Sequence, residues 1–298
     1  MKPAAFAYAD PDRLDEALVL LAQEPDAKVM AGGQSLMPLL NMRLARPPLI
    51  VDIGRIAALK GLSVGDDGGL VLGAGLSHKR LSQAAEVRRH YPLWSEAASH
   101  IGHEAIRARG TLGGSLVHSD PAAELPAAAV AADATLVLQG DGGGRREVAA
   151  KDFFITYLTT DVAPGEVLVE VRVPPAPEGA GMAFVEVARR SGDFAIAGVA
   201  AIVALDAAGR VREARLALCG VGGAPVRPGE AEAGLVGQRP DKAAFEAAAK
   251  AVRAAVEPED DIHASAAYRR HLAGVLAARA LALAVERAGG RKHEGGQG

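Results

Sequence analysis

The sequence predicts an α+β fold in two parts joined near residue 175, and three observations carry that expectation. As far as Val173, short strand-like runs are interspersed with runs of helical spacing. Pro174–Gly181 is rich in proline and is the best linker candidate in the chain. Beyond it the pattern changes to an antiparallel meander of three strands, Met182–Arg190, Ala197–Leu205 and Val211–Cys219, followed by a helical tail. The expected division is a first domain over 1–175, with subdomains of about 1–56 and 57–175, and a smaller domain over 176–288. A polar, Gly-rich flexible tail is expected over 289–298.

Each element has its own signal. Asp10-Pro11 is expected to open the first helix, with Asp as N-cap and Pro at the first helical position. Leu14, Ala17, Leu18 and Leu21 then recur at helical spacing. A short strand over Lys28–Ala31 stops at Gly32-Gly33, a helical stretch covers Ser35–Met42, and Leu49–Ile53 reads as a buried strand. Leu62–Val64 and Leu70–Ala74 flank Gly65-Asp66-Asp67-Gly68-Gly69 and form a hairpin. Helices are expected over Ser77–Val87, Pro92–His100 and Glu124–Ala132. Strands are expected over Ala134–Gln139, Arg145–Val148 and Glu166–Val173. Asp206-Ala207-Ala208-Gly209 turns the chain inside the meander, and Lys242–Val256 and Ser265–Ala288 form the closing helices.

Composition narrows the function classes. With 298 residues, 49% apolar and 23% charged, the chain has ordinary globular composition and length enough for a large core. A net charge of -3 gives no bulk attraction to nucleic acid or to an anionic membrane. Apolar runs such as Ala127–Ala132 and Ala195–Leu205 are too short to span a bilayer. The start of the chain lacks the apolar region of a signal peptide, so a cytoplasmic location is the default expectation. The one cysteine, Cys219, can build neither an intrachain disulfide nor a four-thiolate cluster. Its setting, Leu216-Ala217-Leu218-Cys219, favours a buried structural thiol. Redox chemistry here therefore has to come from a bound organic cofactor.

Two glycine-rich turns are the strongest chemical feature: Ala31-Gly32-Gly33-Gln34-Ser35-Leu36 and Thr111-Leu112-Gly113-Gly114-Ser115-Leu116. Paired glycines let the backbone approach a ligand and turn successive N–H groups toward one point. Ser35, Thr111 and Ser115 add hydroxyl donors, so two such turns can hold a diphosphate from opposite sides. Either turn taken singly is better explained as a tight bend. Gly73-Ala74-Gly75-Leu76-Ser77-His78 imitates a dinucleotide fingerprint but lacks its third glycine, and Ser77 as an N-cap explains the turn. His78, His90, His100, His103 and His118 read as surface or loop histidines, with no metal site expected. No nucleophile elbow and no paired catalytic carboxylates are present.

The surroundings of the two turns are more specific. The first extends into Met37-Pro38-Leu39-Leu40-Asn41-Met42-Arg43-Leu44-Ala45-Arg46-Pro47. The second leads to His118-Ser119-Asp120-Pro121-Ala122-Ala123-Glu124-Leu125-Pro126, and Ala188-Arg189-Arg190-Ser191-Gly192-Asp193-Phe194-Ala195 follows later. With these segments nearly the whole chain resembles the medium, FAD-binding subunit of the molybdenum hydroxylases. That family includes aerobic carbon monoxide dehydrogenases, xanthine dehydrogenases and related aromatic-ring hydroxylases. The resemblance implies an N-terminal FAD-binding region of the vanillyl-alcohol-oxidase (PCMH) type and a flavoprotein C-terminal domain. It implies FAD diphosphate contacts from Val29, Met30, Ala31, Gly32, Gly33, Gln34, Ser35 and Leu36, and from Thr111, Gly113, Gly114 and Ser115. It also implies an acidic flavin contact at Glu124, an adenosine-end contact at Leu168, a further contact at Ile101, and Asp193 and Phe194 approaching the isoalloxazine ring. Gln34 stands where some carbon monoxide dehydrogenases carry His. Val185 and Glu186 stand where animal xanthine dehydrogenases carry a lysine beside the flavin.

By the same resemblance, the partners are a large molybdopterin subunit and a small subunit holding [2Fe–2S] clusters, assembled as a dimer of heterotrimers. Electrons would pass from molybdenum through the clusters to FAD and on to an external acceptor. No side chain of this chain is expected to act as a catalytic acid or base. A self-contained FAD-dependent oxidase or reductase of the same fold is the alternative, and it needs a substrate pocket with such a group. A scaffold that has lost the cofactor is the third reading, and the intact glycine pairs speak against it.

Overall fold

A computed structural model describes residues 1–290. The chain starts with β1 (Ala7–Ala9), α1 (Leu14–Gln23), β2 (Lys28–Met30), α2 (Leu36–Asn41) and β3 (Leu49–Asp52). The three strands form a parallel sheet in the order β1-β3-β2. Helix α1 buries Ala17, Leu18 and Leu21 against it, as the helical spacing predicts. The helix opens later than expected, at Leu14 after an Arg13 with no side-chain cap. Asp10 does not cap; its carboxylate pairs with Arg55 at 2.9 Å.

Next come β4 (Leu62–Val64), β5 (Leu70–Gly73) and a run of six helices: α3 (His78–Gln83), α4 (Ala85–His90), α5 (Pro92–His100), α6 (Glu104–Arg109), α7 (Leu112–His118) and α8 (Glu124–Ala131). The continuous helix expected over Ser77–Val87 is broken at Ala84, whose ψ of 128° is extended. Helices α6 and α7 fall on stretches where no helix is expected. After them lie β6 (Thr135–Gln139), β7 (Arg145–Ala149), α9 (Ala150–Phe153), β8 (Phe154–Thr156), β9 (Thr159–Thr160) and β10 (Val167–Val173). Antiparallel pairing gives the order β4-β5-β10-β6-β7, which places β5 and β10 side by side although about a hundred residues separate them.

The remainder is β11 (Gly181–Ala188), β12 (Ala195–Leu205), β13 (Val211–Cys219), α10 (Gly229–Leu235), α11 (Lys242–Ala255) and α12 (Ala266–Gly290). The three strands make an antiparallel sheet in chain order. Helix α12 carries two residues of the expected tail, Gly289 and Gly290, and residues 291–298 lie outside the described residues.

Helix α8 joins the two larger sheets. Every residue from Glu124 to Ala131 is buried, between α5 on one side and β12 and β13 on the other. A helix apolar all round belongs in such an interior, and its alanines let the neighbours come close. Trp94, Tyr91 and Phe153 are fully buried in the same core, which runs continuously from β5 to β13.

Candidate functional site

The first glycine turn connects β2 to α2. Gly33 has φ of +71°, a left-handed conformation that glycine adopts without a Cβ clash. Gly32 is glycine for another reason: a Cβ there would stand 2.3 Å from the Arg109 carbonyl oxygen and 2.7 Å from Gly110 Cα. The first turn is thus pressed backbone to backbone against the residues that precede the second. Gln34 folds back, its Nε2 donating to the Gly32 carbonyl at 3.0 Å. The N–H groups of Gly32, Gly33, Gln34 and Ser35 find no acceptor among the described residues. These residues are only half-buried, so four successive amides remain free for a ligand.

The second turn works differently from the expectation. Gly113 and Gly114 lie inside the first turn of α7, and its amides are already used. Leu112 N–H donates to Leu76 O at 2.8 Å, Gly113 N–H to Ala74 O at 2.7 Å and Ser115 N–H to Thr111 O at 3.0 Å. Thr111, the N-cap, accepts the Gly114 N–H on Oγ1 at 3.1 Å. The second turn therefore offers hydroxyl hydrogens, from Thr111 and Ser115, rather than a second row of amides. Gly113 serves close packing: its Cβ would fall 2.6 Å from that of Ala74. A Cβ on Gly114 would lie 3.8 Å from that of Ala31, so the two turns face one another.

From these turns a line of contacts continues. Arg107 Nη1 donates to the carbonyls of Ile101 at 3.0 Å and Gly102 at 2.8 Å, holding the bend between α5 and α6. On that bend rests the loop after β11, since a Cβ on Gly192 would meet Gly102 O at 2.8 Å and the His103 ring at 2.9 Å. Ile101 thus lies beside the loop bearing Asp193 and Phe194. Phe194 is 68% exposed, a large ring left uncovered.

Glu124 is the first residue of α8 and is 6% exposed. Burial, and then the nearby Glu186 carboxylate, push its carboxyl up to about 8. Glu186 accepts from His100 Nδ1 at 3.1 Å, a bond that raises the imidazole above its usual range. Cys219 is fully buried close by, as its apolar setting predicts, and burial holds its thiol well above the usual range. Leu168 lies in β10 with its side chain buried in the main core at 3% exposure, next to Val169, whose carbonyl accepts the Ala74 N–H at 3.0 Å.

Sequence reasoning passed over three residues here. His78 is buried rather than on a surface or loop, with Nε2 2.8 Å from Thr111 O. Arg107 acts on the carbonyls of the bend just before it, and Glu186 on His100, which only the fold brings near. His78 left a sequence signal in the Gly73–His78 motif, and Glu186 only through the resemblance, while Arg107 left none. Among the described residues no group of His, Cys, Asp and Glu is arranged to hold a metal ion.

Comparisons with known proteins agree along the whole length. A family described as the FAD binding domain in molybdopterin dehydrogenase matches residues 4–176, and the CO dehydrogenase flavoprotein C-terminal domain matches residues 182–284. The chain is 42% identical to the 6-hydroxypseudooxynicotine dehydrogenase complex subunit alpha of Paenarthrobacter nicotinovorans, covering 97% of each. It is 39% identical to the caffeine dehydrogenase subunit beta of Pseudomonas sp. (strain CBB1), covering 96% of this chain and 97% of that one. A chain of the solved carbon monoxide dehydrogenase from Hydrogenophaga pseudoflava superposes with a TM-score of 0.93 at 38% identity, covering 96% of this chain and 99% of that one.

Proposed function

The chain belongs to the FAD-binding medium subunits of the molybdenum hydroxylases, and from that premise we propose that it relays electrons from the [2Fe–2S] clusters of a partner subunit, through FAD, to an external acceptor. It is an oxidoreductase subunit with FAD as its cofactor.

The observation that carries the proposal is the row of free amides over Gly32–Ser35, facing the Thr111 hydroxyl across a backbone contact. The residues present suit a dinucleotide. Four unengaged N–H groups match an anionic diphosphate without a cationic pocket, and two hydroxyls answer from the other side. Val29, Met30, Ala31 and Leu36 flank the amide row, and Ile101, Glu124, Asp193 and Phe194 belong to the ring end. Bound FAD supplies the electron-carrying ring. The residues named would bind and orient it, with the exposed Phe194 ring beside it.

The relatives named above act on different substrates, yet this chain is about equally identical to each. That supports placing substrate choice on another subunit. Relatives are subunits of complexes, and we assign this chain a large molybdopterin subunit and a small [2Fe–2S] subunit as partners, in a dimer of heterotrimers. The same reading divides it into an FAD-binding part over 1–175 and a C-terminal part over 176–288. No helix among the described residues is long and apolar enough to cross a membrane. A cytoplasmic location belongs to the reading too, and the lone thiol Cys219 is compatible with it.

The test is anaerobic. In the complex assembled with both partners, substrate should bleach the flavin absorbance, while the FAD-loaded chain alone should stay oxidised with the same substrate. Bleaching by the isolated chain would establish the self-contained oxidase or reductase instead.

A further inference from the structure

The segment Gly73–His78 looks like a nucleotide fingerprint and is not one, but it has a place in the site. It runs antiparallel to residues 110–113, with a bridge between Ser77 and Thr111. Leu112 N–H donates to Leu76 O at 2.8 Å, Gly113 N–H to Ala74 O at 2.7 Å and His78 N–H to Gly110 O at 2.9 Å. The His78 ring then returns to the same turn, with Nε2 2.8 Å from the Thr111 carbonyl oxygen. A carbonyl can only accept, so Nε2 carries the hydrogen and Nδ1 is bare. Nδ1 is buried with no partner, and a Cβ on Gly110 would lie 2.8 Å from it. Burial also pushes the imidazole down to about 4, which keeps the ring neutral at ordinary pH.

We propose that His78 is a positioning residue for the FAD diphosphate, fixing Thr111 through its carbonyl so that its hydroxyl can donate to a diphosphate held in front of the free amides of Gly32–Ser35. This rests on the flavin reading above. The geometry has no simpler use for a buried histidine. A leucine would fill the volume without leaving a ring nitrogen unpaired in an apolar interior. The one bond the ring makes falls on the residue whose hydroxyl faces the ligand. The Thr111 carbonyl accepts the Ser115 N–H at 3.0 Å from within α7, and the His78 ring is the donor that ties the same oxygen to the neighbouring segment.

The experiment measures FAD affinity of the full chain by flavin fluorescence at neutral pH, well below the melting temperature. His78→Leu keeps bulk and loses the donor, and it should weaken binding tenfold or more. His78→Gln restores an N–H donor and should recover most of that loss. In a Thr111→Val background His78→Leu should cost less than twofold, because the residue it positions has lost its hydroxyl. Should His78→Leu fail to fold, the contrast between His78→Gln and wild type, and between His78→Gln and His78→Asn, decides the donor requirement. Equal losses for every replacement, an undiminished effect in the Thr111→Val background, or lowered stability with unchanged affinity would each overturn the positioning role. A wild-type chain that ignores FAD would instead overturn the flavin reading, and the His78 role with it.

Discussion

Gly32 is held by geometry that no side chain satisfies. A Cβ at that position would stand 2.3 Å from a carbonyl oxygen, so alanine must push the two turns apart. Gly32→Ala should lower FAD affinity at least tenfold, and overpacking of this kind costs about 1–3 kcal/mol, readable in urea denaturation. Glu124 gives a prediction with a pH sign. Its ordinary value is 4.5, and in the folded protein burial, then Glu186, hold it to about 8. Between these values the folded chain keeps a proton that the unfolded chain has released. The favourable contribution is therefore full below 4.5 and is lost as pH rises toward 8. Glu124→Gln should gain stability over wild type by on the order of a few kcal/mol across that window, with melting curves diverging as pH rises. Curves that stay parallel from pH 5 to 8 would contradict this. His100 works in the same direction: Glu186 raises its pKa, and the stability this gives is lost as pH climbs through the raised value.

At the scale of elements, the central device is α8, a helix with no exposed face. Ala128→Leu should cost about 1–3 kcal/mol, because neither the α5 side nor the β13 side has room for three more carbons. Such a helix was legible in the sequence because Glu124–Ala132 is a run of small apolar residues. So were the hairpin at Gly65–Gly69 and the meander from β11 to β13, where turn residues and strand-period runs agree. The short helices α6 and α7 were not. Gly110 separates them and Gly113-Gly114 weakens the second, so propensity argues against a helix that is held by the Thr111 cap and by the carbonyls of Ala74 and Leu76. The second turn was therefore misread as an amide cradle, while the first was read correctly as a bend after a strand. His78 and Glu186 stayed hidden because their partners lie far along the chain, and Arg107 because its bond to the Ile101 and Gly102 carbonyls depends on the bend before α6.

For the molecule as a whole, α5 ties the helical layer to the C-terminal sheet. Glu96 accepts the Phe184 N–H at 3.0 Å and pairs with Arg287 at 2.7 Å, and His100 reaches Glu186 two residues further along β11. A ligand that spans from Gly32 to Phe194 would meet the loop after β2 and the loop after β11, at the ends of two different sheets. FAD at a hundredfold excess over its Kd should add about 2.7 kcal/mol of stability in one cooperative transition. Two separate transitions, with only one moved by FAD, would show that the parts melt independently.

The flavin role and the positioning role of His78 both depend on the chain holding FAD by itself. The most direct measurement is a titration of the purified wild-type chain with FAD, followed by flavin fluorescence and by absorbance after gel filtration. The account predicts saturation at one FAD per chain, retention of a yellow protein after filtration, and loss of both in the Gly32→Ala variant. A colourless wild-type chain that leaves FAD fluorescence unchanged, although folded by circular dichroism, would contradict it.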